Sequence, residues 1–219
     1  MNLRLSEEIE IRFPPFRVIV ESLTNVNVMR NSKELEEFKE LVFQEIRNEY
    51  TLDELKNRPL FRAYRDFFWK IGIDPTKIRP ASEALIRRVL QGKPIPNVNT
   101  LVDAYNLASI KSGIPLAAFD KETVEGDLQM RFAKKGERFL GIGMKEPIEL
   151  KGNEIVVSDS RKLIAIYPYR DSDATKVTES TKDIILMVCG VPGISDDLLE
   201  NAKLISLSYI MKFCGGSRN

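Results

Sequence analysis

Apolar positions along the chain change their period about halfway. In the first half they recur every three or four residues. Leu35, Phe38, Val42, Phe43, Ile46 and Tyr50 form one stripe, as a helix packed on a core requires. Asn31, with Glu34 three residues on, has a capping-box pattern and predicts the start of that helix. A second helix is expected over about Leu60 to Lys70, stopping at Gly72. Pro80 suits the first position of a third, closed by Gly92, with Leu85, Ile86 and Val89 inward and Arg87 and Arg88 outward. A fourth, from about Val98 to Ser112, sets Leu101, Ala104, Tyr105 and Ala108 on its core stripe and leaves Asn106 off it. One β-rich run, FRVIV at 16–20, precedes all of these.

After Gly113 the period shortens. LQMRFA (128–133), RFLGIG (138–143), EIVVS (154–158), KLIAIY (162–167) and DIILMV (183–188) read as strands separated by turns such as KKGE and KGNE. The stretch GIPLAAFDKETVEGD (113–127) reads as a tight connector into the first of them. A closing helix is predicted from Ser195, a good N-cap, with Leu198, Ala202, Ile205 and Tyr209 inward and Gly215 at its end. The pattern predicts one compact α+β domain over residues 1–219: mostly helices first, then a β-rich half, then a closing helix.

Composition adds exclusions. With 219 residues, 43% of them hydrophobic and 30% charged, the chain can bury a sizeable core. No run approaches the roughly 20 apolar residues that span a bilayer. The start, MNLRLSEEIE, lacks the apolar core of a secretory signal, so a cytoplasmic location and no membrane partner are expected. Cys189 and Cys214 sit in apolar surroundings and read as small buried hydrophobes. The chain contains no histidine. That rules out a Ser-His-Asp triad, a Cys-His pair and a His-ligated metal. Hydrolysis would have to use carboxylates, hydroxyls, amides, lysine or arginine, or a group on the substrate. A rate profile is then expected to lack a side-chain inflection near pH 6.5. Phosphate-loop, dinucleotide and zinc-protease motifs are missing, and the LGIGM stretch reads as a bulge, so no cofactor or metal is expected.

Charge is nearly balanced at +1 but unevenly spread. From Lys56 to Lys93 ten basic residues face three acidic ones, whereas from Asn31 to Glu54 eight acidic residues face three basic ones. The two blocks either pair with each other or leave a basic face for a polyanion.

The stretch LVDAYNLASIKSGIPLAAFDKETVEGDLQMRFAKKGE (101–137) carries V-D-x-x-N, G-x-P, A-F-D and E-G, then a strand ending in a basic turn. It resembles the tRNA-binding and editing domain of the phenylalanyl-tRNA synthetase beta subunit. Upstream, IDPTKIRPASEALIRRVLQGKPIPNVNTLVDAYN (73–106) is most similar to free-standing relatives of that domain. Downstream, YPYRDSDATKVTESTKDIIL (167–186) matches its Arg-x-Ser-Asp and threonine-rich turn before a buried strand. The likeness covers about Phe61 to Val188.

The resemblance implies a β-sandwich-like core and a deacylase site that holds a wrongly attached amino acid while water attacks its ester to tRNA. Asn106, Phe119, Asp120 and Gly126 match the motif directly. Two positions depart from it. Where many bacterial synthetase domains have a pocket histidine this chain has Ala117, and a pocket glutamate aligns with Met187, which together imply a roomier, less polar pocket. The candidate catalytic groups are Asn106, Asp120 and Thr175, with Ala117, Phe119, Arg170, Asp173 and Met187 binding the substrate. Ala117, Phe119, Asn106, Arg170, Thr175 and Met187 are expected to border one pocket. Each polar residue also has a structural reading: Asp120 caps the connector, Asn106 ties helix to loop, Arg170 pairs with Asp171 or Asp173, and Thr175 shapes a turn. Arg79, Arg87 and Arg88 are the candidate RNA contacts. Taken together, the chain reads as a trans-acting editing factor for mischarged aminoacyl-tRNA, associated with the translation machinery. The alternative is a non-catalytic tRNA or amino-acid binding module. Ligase activity is not expected without an ATP-binding motif.

Overall fold

The computed structural model describes residues 2–218. A short strand β1 (Leu3–Leu5) and helix α1 (Glu7–Arg12) lead into β2 (Val18–Val26), longer than the predicted run. Helix α2 (Lys33–Glu49) is capped by Ser32, whose hydroxyl accepts the Leu35 amide, and not by Asn31, which lies one residue too early. Leu35, Val42, Phe43 and Ile46 are buried as expected, and Phe38 meets Tyr209 edge-on at 5.0 Å between centroids. After α3 (Leu52–Leu55) and α4 (Pro59–Lys70), helix α5 (Ala81–Leu90) takes Pro80 as its N-cap instead of its first residue. Helix α6 (Thr100–Ser112) begins at Asn99, which accepts the Val102 amide, and ends at Gly113 with φ +73°. A side chain at Gly113 would be strained by that dihedral and would sit 2.4 Å from Leu60.

The expected connector proves to be a strand. β3 (Leu116–Asp120) is buried at all five positions. β4 (Leu128–Phe132), β5 (Arg138–Phe139), β6 (Ile148–Glu149), β7 (Ile155–Ser158), β8 (Leu163–Ile166), β9 (Arg170–Asp171) and β10 (Ile184–Cys189) follow. Helix α7 (Asp196–Cys214), capped by Ser195, runs into β11 (Gly215–Arg218). Of the expected stripe Ala202 is buried and Ile205 and Tyr209 pack half-buried on the core, whereas Leu198 is 42% exposed and Leu199 takes its place, with Ser206, Ile210 and Phe213 also inward.

The strands form a four-stranded sheet ordered β11-β2-β10-β3 and a five-stranded sheet ordered β1-β4-β7-β8-β9. A small β5-β6 pair stands apart. Among the described residues only β1 and β4 run parallel. The fold is α+β, with β2 from the helical half inserted at the heart of the first sheet. Helices α2, α5 and α7 pack on α6. Among the described residues no helix is long and apolar enough to cross a membrane.

One polar group lies deep among these helices. Lys39 on α2 is 4% exposed and donates to Asp103 on α6 at 2.8 Å, to Asn97 at 2.9 Å and to Glu36 at 2.6 Å. Asp103 also accepts the Val98 amide, which ties the approach to α6. Removing one partner would leave a buried charge unmatched. Asp103→Ala should therefore lower unfolding free energy by about 3–5 kcal/mol in urea titrations. A loss under about 1 kcal/mol would show that the lysine finds water instead.

Candidate functional site

Strand β10 pairs with β3 so that Met187 stands opposite Ala117, Leu186 opposite Ala118 and Ile185 opposite Phe119. Alternation puts Ala117, Phe119, Ile185, Met187 and Cys189 on one face. The end of β10 is fixed from three sides. Tyr64 donates its hydroxyl to the Cys189 carbonyl at 2.6 Å, Tyr167 donates to the Gly190 carbonyl, and the Cys189 amide donates to Pro115 at 3.0 Å. A Cβ on Gly190 would fall 2.3 Å from the Arg17 carbonyl oxygen, so only glycine permits this approach.

Between this face and strands β8 and β9 of the other sheet lies a pocket of about 60 Å³. Ala117, Met187 and Cys189 form one wall, Ala165, Tyr167 and Asp171 the other. The Asp171 carboxyl has no hydrogen bond or ion pair among the described residues. Its residue is half-buried and lines the pocket. Burial pushes its pKa up to about 7, with neighbouring Arg170 opposing the shift. Arg170, one residue away on the strand, points elsewhere: its side chain covers Gly141, where a Cβ would meet it at 2.4 Å. The Cys189 thiol is driven upward by burial and by Asp171, so it is no nucleophile at neutral pH.

Of the six residues expected to border one pocket, Ala117 and Met187 line this one. Phe119 shares their face one pair further on, but it is wholly buried. Asn106 is half-buried on α6 and is not among the lining residues. Thr175 is fully buried in the 3-10 turn 173–175, its hydroxyl without a partner. Asp120 points to the opposite face of β3, accepting Thr181 Oγ1 at 2.6 Å and the Glu122 amide at 3.1 Å, which is the capping arrangement. Asp173 pairs with Lys176 at 2.8 Å, and Arg170 with neither aspartate. The pocket is also not roomy. Tyr167, Pro168, Tyr169 and the Met187 thioether crowd round the small Ala81, Ala117 and Ala165. Nor does it lack a polar group, because Asp171 supplies one. Asp171 was legible only as a partner for Arg170, although an acid directly after the strand-ending run YPYR was the available signal.

The basic block does not pair with the acidic one. Among the described residues no ion pair joins side chains of 56–93 to those of 31–54. Lys33, Lys39, Lys111 and Lys212 serve the acidic helix instead. Arg79, Arg87, Arg88 and Lys93 surround a surface depression of about 330 Å³. Arg88 donates to the Pro94 carbonyl at 2.7 and 3.0 Å, and Arg87 reaches Glu83 only at 3.9 Å.

A family model described as the B3/4 domain matches residues 63–199. The phenylalanine–tRNA ligase beta subunit of Protochlamydia amoebophila is 34% identical over 155 residues, covering 67% of this chain and 18% of that protein. Its counterpart in Aquifex aeolicus is 34% identical over 105 residues, 48% of this chain and 13% of that protein. The matches thus span less than a fifth of either relative. An N-terminal fragment of the phenylalanyl-tRNA synthetase beta subunit from Pyrococcus horikoshii has the same fold, with TM-score 0.56 and 13% identity. It covers 99% of this chain and 49% of that one.

Asp171 makes stability depend on pH in a definite direction. Its folded pKa of about 7 lies above the model value of 3.8, so the folded state holds the proton longer than the unfolded one. Stability from this group is full below about pH 4 and is lost as pH rises through about 7. Asp171→Asn should therefore stabilise the protein at pH 8 relative to pH 4, by at most about 4 kcal/mol, less because the pocket admits solvent. Carboxyl titration by NMR should place the group near 7, and a value near 4 would remove the basis for the effect.

Proposed function

The chain belongs to the B3/4 domain family, and on that premise we propose that it is an aminoacyl-tRNA deacylase acting in trans on wrongly charged tRNA. The observation that carries this reading is the unpartnered Asp171 carboxyl beside the Ala117–Met187 pair. By resemblance those two positions are where the family's pocket histidine and glutamate stand, and here they are direct cross-strand neighbours. An acid left without a partner in a small, partly buried site is a poor structural choice and a good chemical one.

In this reading the aminoacyl group enters the pocket and its ester carbonyl stops at the mouth. Ionised Asp171 accepts a proton from a water that attacks the carbonyl carbon. The tetrahedral intermediate then expels the ribose oxygen, which takes the proton back from Asp171, giving free amino acid and tRNA. The neighbouring ribose hydroxyl assists, and placement of an already reactive ester supplies much of the acceleration. Arg79, Arg87 and Arg88 hold backbone phosphates, a contact without sequence preference. Replacement of both family polar groups by Ala117 and Met187 favours a second reading, a module that binds tRNA or an amino acid without hydrolysis.

Single-turnover deacylation over a panel of charged tRNAs separates the two. The enzyme-dependent rate should rise through an inflection near pH 7, replacing the featureless profile that a histidine-free sequence suggests. Asp171→Asn should lower it by about 10²–10⁴-fold and abolish the inflection. No enzyme-dependent rate on any substrate would leave the binding module.

Charge reversal at Arg87 and Arg88 should weaken tRNA binding about equally for all tRNAs. It should also reduce the slope of log affinity against log salt by roughly 2. Unchanged affinity and slope would take these arginines out of the RNA contact.

A further inference from the structure

The size of the β3–β10 pocket carries a statement about substrate that the family resemblance does not. An apolar cavity of about 150 Å³ takes up one benzene ring. The space between the sheets is about 60 Å³, well short of that. A tyrosine or phenylalanine ring exceeds it, whereas the side chains of glycine, alanine, serine and cysteine do not. The walls are also not free to retreat. Met187 is 1% exposed in the middle of β10, and that strand is hydrogen-bonded on both sides, by β2 and β3. Tyr167 is 1% exposed and anchored through its hydroxyl to Gly190. Beyond Asp171 the lining is aliphatic, thioether, thiol and the rings of Tyr167 and Tyr169, with no second charged group to pair a charged side chain.

We propose that this pocket selects esters of small, uncharged amino acids and excludes aromatic ones, with Met187 as the residue that sets the limit. The assignment rests on the deacylase reading for its chemistry, but the size limit itself is a property of the cavity. Close packing makes the exclusion steep, because each group that does not fit must displace a wall held by the sheet.

The test uses the same chain with alanyl-, seryl-, tyrosyl- and phenylalanyl-tRNA, together with calorimetric titration of L-alanine amide and L-tyrosine amide. Wild type should hydrolyse the small esters at least about 100-fold faster than the aromatic ones and bind only alanine amide. Met187→Ala, checked for folding by circular dichroism, should raise the rate on the aromatic esters at least about 10-fold. Ala117→Leu should suppress hydrolysis of the small esters too. Equal or faster hydrolysis of tyrosyl-tRNA by the wild type overturns the size limit and leaves the deacylase reading intact. Binding of alanine amide with no hydrolysis of any ester upholds the size limit and overturns the deacylase reading. Neither binding nor hydrolysis overturns both.

Discussion

The antiparallel pairing of β10 with β2 on one side and β3 on the other is the constraint on which the rest depends. All six residues of β10 are buried, so its register decides which side chains face the other sheet. A slip by one residue would turn Met187 and Cys189 away and bring Leu186 and Val188 to the pocket. The tyrosine hydroxyls at Cys189 and Gly190 oppose such a slip, because each would lose a buried acceptor. The strap is therefore polar at its end and apolar along its length.

Carboxylates elsewhere in the molecule show what Asp171 lacks. Burial alone would raise Asp159, but the Lys162 ammonium and the amides of Arg161, Glu125 and Lys162 all donate to it, and its pKa ends below the ordinary value. Glu137 is lowered by a bidentate Arg131 at 2.7 and 2.9 Å. Asp103 and Asp120 likewise spend their oxygens on named donors. Those four groups hold backbone or helices in place, and their partners account for them. Asp171 has burial without compensation, so its free energy is recovered only if a ligand or a water completes it.

The long helices were legible because their apolar stripes are long and their stops are glycine or proline. Errors there were of one residue, as at Ser32 and Leu198, where the cap sets the phase and spacing alone does not, whereas the short α1 and α3 carry no such stripe and were missed. Strands with β-branched runs, such as EIVVS and DIILMV, were equally plain. β3 was missed because Ala117, Ala118 and Asp120 have low strand propensity, and its place comes from pairing with β10, which is 64 residues away in sequence at the Asp120↔Ile184 pair. β1 and β11 are short and gain their partners only in three dimensions. For the site, the two departures at Ala117 and Met187 were readable from the likeness. The carboxyl that faces them was not, because Asp171 and Asp173 look alike in sequence, and it is the end of β9 at Asp171 and the 3-10 turn at 173–175 that separate an aspartate in the pocket from one paired with Lys176.

Lack of histidine has a physical consequence that joins these points. A side chain that changes charge near neutrality must then have a shifted pKa; burial moves both cysteine thiols away from neutrality and moves the Asp171 carboxyl toward it. The Asp171 pKa of about 7 therefore requires a cavity small enough to keep bulk water from solvating the anion. A larger pocket would admit more water, relieve the desolvation and return the carboxyl toward its ordinary range. Narrow volume and a near-neutral acid are in this sense one property of the site. Ala117 in place of an imidazole does not leave a wide hole. Met187, Tyr167 and Tyr169 line the same narrow pocket as the Asp171 carboxyl, and it is this crowding that keeps the acid away from its ordinary range.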